Sequence, residues 1–297
     1  MNLSNQIYTD ETAAREHLEA LLWPKGPVCP HCGVVGNAVA LNGKSTRPGV
    51  YKCRDCRKPF SVTVGTVFER SKIPLSRWLL ATHLVVSSKK GISAHQLHRT
   101  LDVTYKTAWF MAHRIRLAMA PSADAGQLGG EGKTVEADET YLAKSPKTRK
   151  SGPRYAKPAP QVLSLVERGG NISSMFLDDK NVRGALVAHL DERSRLVTDG
   201  AQTYKFQVDS HESVDHSKFE WARGDVHTNT LENFFSIFKR GLVGTYQHMD
   251  KKHLHRYLAE FDFRRNNRAT LGINDAQRAE IALKGIEGKR LTYRRPD

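Results

Sequence analysis

The four cysteines form the clearest pattern of metal ligands in the chain. They lie in two C-x-x-C pairs, Cys29 with Cys32 and Cys53 with Cys56, and twenty residues separate the pairs. This spacing is typical of a zinc ribbon, in which two tight turns present four thiolates to one tetrahedral ion. A redox motif would need only one pair. Because four thiolates fill the coordination sphere, we expect a structural Zn²⁺ and not a catalytic one.

Acidic residues in the second half of the chain indicate a second metal site. Asp138 lies within a predicted strand, Asp199 ends another, and Glu232 lies on the polar face of a predicted helix. A carboxylate inside a strand is costly unless it is paired, hydrogen-bonded or bound to a cation. Carboxylate oxygens suit Mg²⁺ or Mn²⁺, and two such ions can activate a nucleophile and stabilise the leaving oxygen at a phosphodiester.

Two polar residues share the face of Glu232. Asn229 lies one turn before it, and Lys239 lies two turns after it and could hold a DNA phosphate. Each residue also has an ordinary alternative. Asn229 could be a helix N-cap with Glu232 as its capping-box partner, and Lys239 could be simply solvated. Either aspartate alone could be a turn or capping residue.

The segments around these acids predict the elements that position them. From residue 226 onward a helical period gathers the apolar residues on one face: Leu231, Phe234, Phe235, Phe238 and Leu242. A second amphipathic helix follows, with Leu254, Tyr257, Leu258 and Phe261 predicted to be buried. Upstream, the pattern predicts strands at 133–142, 160–170, 171–179 and 194–200, and helices at 181–192 and 201–208. This order indicates an α/β domain with a mixed sheet. Residues 143–160, basic and proline-rich, are expected to be a loop that either contacts DNA or is solvated.

Charge and composition favour a nucleic-acid partner. The chain of 297 residues carries 46 basic and 31 acidic residues, a net charge of +15. Residues 1–120 hold 17 Lys/Arg and 7 Asp/Glu, so 17 − 7 = +10 of that excess lies there. Such clustering favours binding to phosphates with release of counterions. No apolar run approaches the roughly 20 residues that span a bilayer, and the N-terminus lacks a signal pattern, so we expect a cytoplasmic protein without membrane contact.

Two surfaces of the first half are candidates for DNA contact. Arg54, Arg57 and Lys58 surround the second cysteine pair. Beyond it, a helix predicted to end near Leu101 is followed by a short turn, and Thr104 is the predicted N-cap of a second helix that reaches about Met119. This arrangement is typical of a helix-turn-helix motif, although helical hairpins are also common in other proteins. Its second helix would present these residues to a major groove: Tyr105, Lys106, Thr107 and Arg114. In the second half, Lys251, Lys252 and Arg256 are candidate DNA contacts or a solvated basic face.

The chain as a whole resembles the ISXO-like insertion-sequence DDE transposases that carry an N-terminal zinc ribbon. The resemblance lies in the cysteine pairs with KPFSVTVGTVFERSKIPLSRW, in KTAWFMAHRIR, VEADETYL and VTDGAQTY, and most specifically in HTNTLENFFSIFKRGLVGTYQHM. It extends from about Cys29 to Arg268. The resemblance implies a ribonuclease H-like catalytic domain with Asp138 and Asp199 as its first two metal-binding acids. For the third position both Asn229 and Glu232 are available, and we favour Glu232 because an anionic oxygen binds a divalent ion better than an amide does.

Together, the residue patterns and the resemblance predict a multidomain transposase. Its predicted parts are a helix and zinc ribbon (1–65), a helical DNA-binding region (66–120), a linker (121–132), the ribonuclease H-like domain (133–270) and a basic tail (271–297). It would bind the terminal inverted repeats of its element as double-stranded DNA, hydrolyse phosphodiester bonds with Mg²⁺ and join the ends to target DNA, acting as a homodimer or larger assembly in the nucleoid of a bacterium. The alternatives are a zinc-ribbon transcription regulator without catalysis and a nuclease of similar fold.

Overall fold

The computed structural model describes residues 4–122, 126–142, 161–177, 181–199, 204, 208, 210–215 and 218–292. The chain forms two compact units. The first consists of Met1–Ala120 together with Arg268–Asp297, and the second of Pro121–Asn267. The predicted basic loop 143–160 lies outside the described residues, as does most of the helix predicted at 201–208. Within the described part of the chain, no helix is long and apolar enough to cross a membrane.

The first unit contains a small antiparallel sheet and five helices among its described residues. Helix α1 (Glu11–Leu22) precedes strands β1 (Ala38–Ala40), β2 (Tyr51–Cys53) and β3 (Pro59–Phe60), which pair in the order β1-β2-β3. Helix α2 (Leu75–Ser87) follows and packs against α1. Trp23, Tyr51 and Phe60 form an aromatic cluster beside the sheet, with ring centroids 5.6 to 5.9 Å apart. A tiny sheet of this size has little core of its own, so this cluster supplies part of its packing.

Two further helices follow, of which the first ends, and the second begins and ends, where the sequence predicts. Helix α3 spans Ala94–Leu101 and helix α4 spans Tyr105–Met119. Asp102 adopts a left-handed conformation (φ 50°) that ends α3. The Thr104 side chain accepts a hydrogen bond from the Thr107 backbone N–H, which makes it the N-cap of α4. The two helices pack against each other across this short turn.

The C-terminal segment is a correction to the predicted basic tail. Residues Asp275–Lys284 form helix α8, whose N-terminus carries a complete capping box between Asn274 and Gln277. Ala279, Ala282 and Leu283 are buried, and α8 packs against α2 and α4. The segment therefore returns to complete the first unit, because its small apolar residues fill a helical interface despite the surrounding charge.

The second unit is built on the mixed sheet that the sequence predicts. Strands β4 (Thr134–Tyr141), β5 (Gln161–Glu167) and β6 (Ile172–Leu177) pair antiparallel, and β7 (Arg195–Thr198) and β8 (Ser210–Ser213) continue the sheet in parallel. The strand order is β6-β5-β4-β7-β8, so β4 lies at the centre. Helix α5 (Val182–His189) connects β6 to β7.

Side chains alternate between the two faces of this sheet. On one face, Val162, Val166 and Ile172 pack against helices α6 (Asn229–Gly241) and α7 (Leu254–Asn266); we call this the α6 face. On the opposite face, Val135, Ala137, Leu163 and Leu165 pack against α5. The helix residues predicted to be buried on the α6 face are buried: Leu231, Phe234, Phe235, Phe238, Leu254, Tyr257, Leu258 and Phe261. Leu242 is partly buried, since α6 ends at Gly241.

Helix α7 also covers the edge of the sheet at β6. The Ser174 N–H donates to Asp262 Oδ2 at 2.7 Å, and the Ile172 N–H donates to Asn266 Oδ1 at 2.7 Å. Asn266 in turn donates to the Ile172 carbonyl at 3.0 Å. These bonds satisfy backbone groups that an exposed edge strand would offer to another chain.

Candidate active site and zinc site

The four cysteines converge in the first unit as the sequence predicts. The Sγ atoms of Cys29 and Cys56 lie 3.6 Å apart, as do those of Cys32 and Cys53. All four ligand atoms lie within 4.8 Å of one another. Zn–S bonds of about 2.3 Å in a tetrahedron place the sulfurs about 3.8 Å apart, whereas a disulfide needs about 2.05 Å. The cysteines are free thiols, and their geometry fits one structural zinc ion.

Two tight turns deliver these thiols. In the first, the Gly33 N–H donates to the Cys29 carbonyl at 2.8 Å, and Gly33 adopts a φ of 77° that favours glycine. In the second, the Cys53 N–H donates to the Lys58 carbonyl at 3.1 Å, and Arg57 adopts a left-handed φ of 60°. Both turns bend the backbone around the position that the metal would take. Arg54, Arg57 and Lys58 are exposed on the second turn.

Asp138 and Asp199 come together at the centre of the sheet in the second unit. Strands β4 and β7 are parallel neighbours, with Glu136 paired to Val197. Continuing this register by two residues places Asp138 beside Asp199, which directly follows the last residue of β7. Neighbouring strands are about 4.8 Å apart, and paired residues of parallel strands point to the same face. The chain thus sets two carboxylates side by side where the parallel pair ends.

Both residues belong to the α6 face, on which Glu232 also lies. Glu136 lies two residues before Asp138 on β4, and its carboxylate accepts hydrogen bonds from Thr230 at the start of α6. Strand residues two apart share a face, so Asp138 points toward the side on which α6 begins. Glu232 is exposed in the first turn of that helix.

The electrostatics of Asp138 show how close these acids are. Burial, the largest cause, together with the charges of Asp199 and Glu232, raises the pKa of its carboxyl from a usual value of 3.8 to about 7. The Glu139 N–H donates to Asp138 Oδ1 at 2.7 Å and offsets part of this effect. Three carboxylates that repel one another in a partly buried place are a suitable donor set for a divalent cation, whose binding would relieve the repulsion.

The carboxylates are less tightly gathered than the thiols. Among the described residues, the four cysteines are the one set of three or more His, Cys, Asp or Glu side chains whose ligand atoms all lie within 4.8 Å. Asp138, Asp199 and Glu232 interact electrostatically over a wider separation. Binding of one shared ion would therefore bring these carboxylates closer together than they are here.

The start of α6 differs from the capping-box alternative. Asn229 is the first residue of the helix and is exposed, and the N-cap position belongs to Thr228, which makes no side-chain capping bond. Asn229 and Glu232 therefore do not form the reciprocal cap of a helix N-terminus. Lys239 is exposed in the last turn of the same helix.

The basic residues before and within α7 occupy different settings. The Lys251 ammonium lies 5.1 Å from the centre of the Phe176 ring on β6, in a cation–π contact. Lys252 pairs with Asp250 at 3.3 Å. Arg256 is half-buried, and its guanidinium lies 3.4 Å from His253 Nδ1. Lys251 and Lys252 thus lie on the surface, whereas Arg256 is partly enclosed.

The predicted DNA-contacting residues of α4 divide into two groups. Tyr105 and Lys106 are exposed at its start, and Tyr105 stacks on His95 of α3 with centroids 4.3 Å apart; Thr107 is half-buried. Arg114 is half-buried, and its guanidinium donates to the Glu69 carbonyl at 3.2 Å. Its guanidinium lies 4.8 Å from the centre of the Phe110 ring. It packs within the first unit, since its long side chain lies along apolar surface.

Sequence reasoning missed one residue of the site, Glu136. Its side chain is fully buried and binds both Thr230 and Arg168. The signal was present in the strand EADET, where two acids spaced two apart must share a face. The sequence pattern does not identify the partner of Glu136, because Arg168 lies 32 residues downstream, just after β5.

Comparison with known proteins agrees with this architecture. Residues 127–266 match the family described as the ISXO2-like transposase domain, and residues 9–59 match the transposase zinc-ribbon domain of the IS1595 group. An uncharacterized protein in the transposable element ISH50 of Halobacterium salinarum is 29% identical over 282 residues, which cover 88% of this chain and 92% of that protein. The two family matches together cover more than half of the 297 residues. The chain thus carries a transposase zinc-ribbon domain followed by an ISXO2-like transposase domain.

Proposed function

We propose that this transposase cuts phosphodiester bonds at the ends of its element and joins the exposed 3′ hydroxyls to target DNA, with Asp138, Asp199 and Glu232 as ligands of Mg²⁺. The observation that supports this most directly is the register of β4 and β7, which pairs Glu136 with Val197 and, if continued by two residues, brings Asp138 next to Asp199 on the α6 face. The strand order, antiparallel then parallel around β4, is also the arrangement expected of a ribonuclease H-like domain.

The chain's own residues would contribute position and charge. Divalent ions bound at this site would activate the attacking oxygen and stabilise the leaving one. Asp138 and Asp199 are held by the rigid centre of the sheet, which fixes their spacing. Glu232 and Asn229 approach from the first turn of α6, and Lys239 offers a cation at the other end of that helix for a DNA phosphate. The reaction needs no covalent link between protein and DNA, because the carboxylates act only as ligands.

DNA recognition is assigned to the first unit. The exposed residues Arg54, Arg57 and Lys58 on the ribbon and Tyr105 and Lys106 at the start of α4 are proposed to contact the terminal repeats. Lys251 and Lys252 are proposed backbone contacts in the second unit. Joining two ends of one element requires both to be held at once, so we propose that the protein acts on DNA as a homodimer or larger assembly.

The test uses purified full-length protein, a labelled duplex that carries the inverted repeats flanking its gene, and a supercoiled target plasmid. Mg²⁺ is omitted in one arm; a strong chelator is avoided because it would also remove zinc from the ribbon. We expect Mg²⁺-dependent nicking and joined products, both lost in Asp138→Asn, Asp199→Asn and Glu232→Gln. An exposed acid of the same unit, Glu192, provides the matched control as Glu192→Gln.

The outcomes separate the competing activities. Nicking without joined products would indicate a nuclease, and repeat binding without any cleavage would indicate a DNA-binding regulator. Loss of cleavage in Asn229→Ala together with full activity in Glu232→Gln would transfer the third ligand position from Glu232 to Asn229. Undiminished cleavage by folded Asp138→Asn would disprove the assigned site.

A further inference from the structure

We infer that Glu136 is a positioning residue that holds the first turn of α6 at the distance from β4 that Mg²⁺ binding requires. The inference rests on the proposed function, because it concerns the placement of Asn229 and Glu232 relative to Asp138. Glu136 is not a proposed metal ligand. It lies two residues before Asp138 on the same face of β4, and its carboxylate is bound to Thr230 of the helix.

Both oxygens of the Glu136 carboxylate accept hydrogen bonds. Oε1 accepts from Thr230 Oγ1 at 2.9 Å and from Arg168 Nε at 2.9 Å, and Oε2 accepts from the Thr230 N–H at 3.1 Å. The side chain has 0% exposure. A buried carboxylate is tolerated only when it is paired and hydrogen-bonded in this way, and removal of one partner is correspondingly costly.

These bonds replace a local cap on α6. The first backbone N–H groups of a helix have no partner within the helix, and Thr228 provides no side-chain capping bond. The carboxylate of Glu136 takes this place from the neighbouring strand, where the positive end of the helix dipole favours an anion. The first turn of α6 is therefore tied to β4 by this carboxylate.

Arg168 makes the arrangement electrostatically possible beside three further acids. It neutralises Glu136 and also donates from its Nη2 to the His227 carbonyl at 3.0 Å. The chain just before α6 and the first turn of α6 are thus tied to one Glu–Arg pair. Asp138, Asp199 and Glu232 repel one another, and this tie opposes the outward shift of α6 that repulsion would favour.

Asp262 provides a matched control for a purely structural role. It is also a buried carboxylate, and it ties helix α7 to β6 by accepting from the Ser174 N–H and Ser174 Oγ, each at 2.7 Å. Both acids join a helix to the same sheet on the α6 face. Only Glu136 contacts the helix that carries the third ligand.

The experiment measures Mn²⁺ binding by electron paramagnetic resonance on the full-length chain, together with the Mg²⁺ concentration that gives half-maximal cleavage. Asp138→Asn identifies the site in the wild-type titration. We expect Glu136→Gln to weaken Mn²⁺ binding about 10- to 100-fold, the usual cost of losing a group that orients a metal ligand, and to raise the Mg²⁺ midpoint accordingly. Asp262→Asn is expected to leave both values near wild type. Thr230→Val, which keeps the Glu136–Arg168 pair, is expected to give a smaller decrease and serves if Glu136→Gln does not fold.

The results distinguish a residue that positions the metal site from one that only stabilises the fold. Wild-type Mn²⁺ affinity in folded Glu136→Gln, or in Thr230→Val if that is the folded variant, would overturn the inference. An equal loss in Asp262→Asn would also overturn it, since it would show a general effect of helix docking. If the wild-type protein has no Mn²⁺ site that Asp138→Asn removes, the proposed metal site itself fails, and the inference fails with it.

Discussion

Replacement of Asp138 by asparagine should stabilise the Mg²⁺-free protein at pH 8. The carboxyl has a pKa of about 7 in the folded chain and a usual value of 3.8. Asparagine keeps the shape and can still accept the hydrogen bond that the Glu139 N–H donates at 2.7 Å. It removes only the negative charge, which burial and the neighbouring acids disfavour.

The size and sign of the effect follow from these two pKa values. Below pH 3.8 both states hold the proton. As pH rises from about 4 to 7, the unfolded chain releases the Asp138 proton before the folded chain does, so the free energy of unfolding falls. Above pH 7 the proton is lost from both states, and the decrease in the free energy of unfolding is complete. The difference of 7 − 3.8 = 3.2 units corresponds to about 4 kcal/mol as an upper bound. Asp138 retains some exposure, and we take roughly 2 kcal/mol as the screened value.

Hydrogen exchange of β5 amides measures this change within the second unit. A gain of roughly 2 kcal/mol slows exchange through cooperative unfolding by about 30-fold in Asp138→Asn at pH 8, after correction for intrinsic rates. The gain should shrink as pH is lowered toward 5. Added Mg²⁺ should slow exchange in wild type and not in the variant, because a ligand stabilises only the state that binds it. Faster exchange in the variant at pH 8, or a difference independent of pH, would refute the reasoning.

Three further predictions concern the ribbon, the core and the DNA surface. Cys32→Ser should lower bound zinc, measured by elemental analysis, and accelerate exchange in β2 while β5 is unaffected; full zinc content would contradict a four-thiolate site. Phe238→Ala should destabilise the second unit by about 3 to 5 kcal/mol in urea unfolding, since Phe238 is fully buried, whereas Val243→Ala on the surface should change it by less than about 0.5 kcal/mol. Lys106→Ala should reduce the salt dependence of DNA binding by about one unit of slope, whereas Arg114→Ala should leave the slope unchanged and lower the stability of the first unit. A wild-type slope in Lys106→Ala would show that Lys106 does not contact DNA.

Strongly periodic segments were predictable because local pattern and tertiary burial agree in them. The stripe of Leu231, Phe234, Phe235 and Phe238 identifies α6 from the sequence, and the structure buries all four. Thr104 likewise fixes the start of α4, because a side-chain cap is a local interaction. The cysteine spacing predicted the zinc site for the same reason, since two tight turns determine most of its geometry.

Elements that depend on distant partners were not predictable in this way. Strand β8 has the sequence SHES, without an apolar residue, and it is a strand because β7 supplies its ladder and Arg195 binds Glu212. Helix α8 had a local signal in Asn274 and Gln277, but the surrounding charge suggested a solvated tail. For Arg114, helical position alone does not determine whether a long side chain reaches solvent or lies on the core.

The two acids of β4 show why the site needs the whole sheet. Glu136 and Asp138 share a face and are two residues apart, yet Arg168 lies beside the first and the charges of Asp199 and Glu232 lie near the second. An arginine next to a buried acid stabilises the charge of that acid, whereas other acids next to a buried acid raise its pKa and favour a cation. A second arginine near Asp138 would compete with Mg²⁺, and the lack of one near Glu136 would leave a buried charge unpaired. The antiparallel neighbour β5 leads into Arg168, and the parallel neighbour β7 leads into Asp199. The mixed sheet thereby provides opposite environments for two residues of one strand, so that one fixes α6 while the other is suited to bind metal.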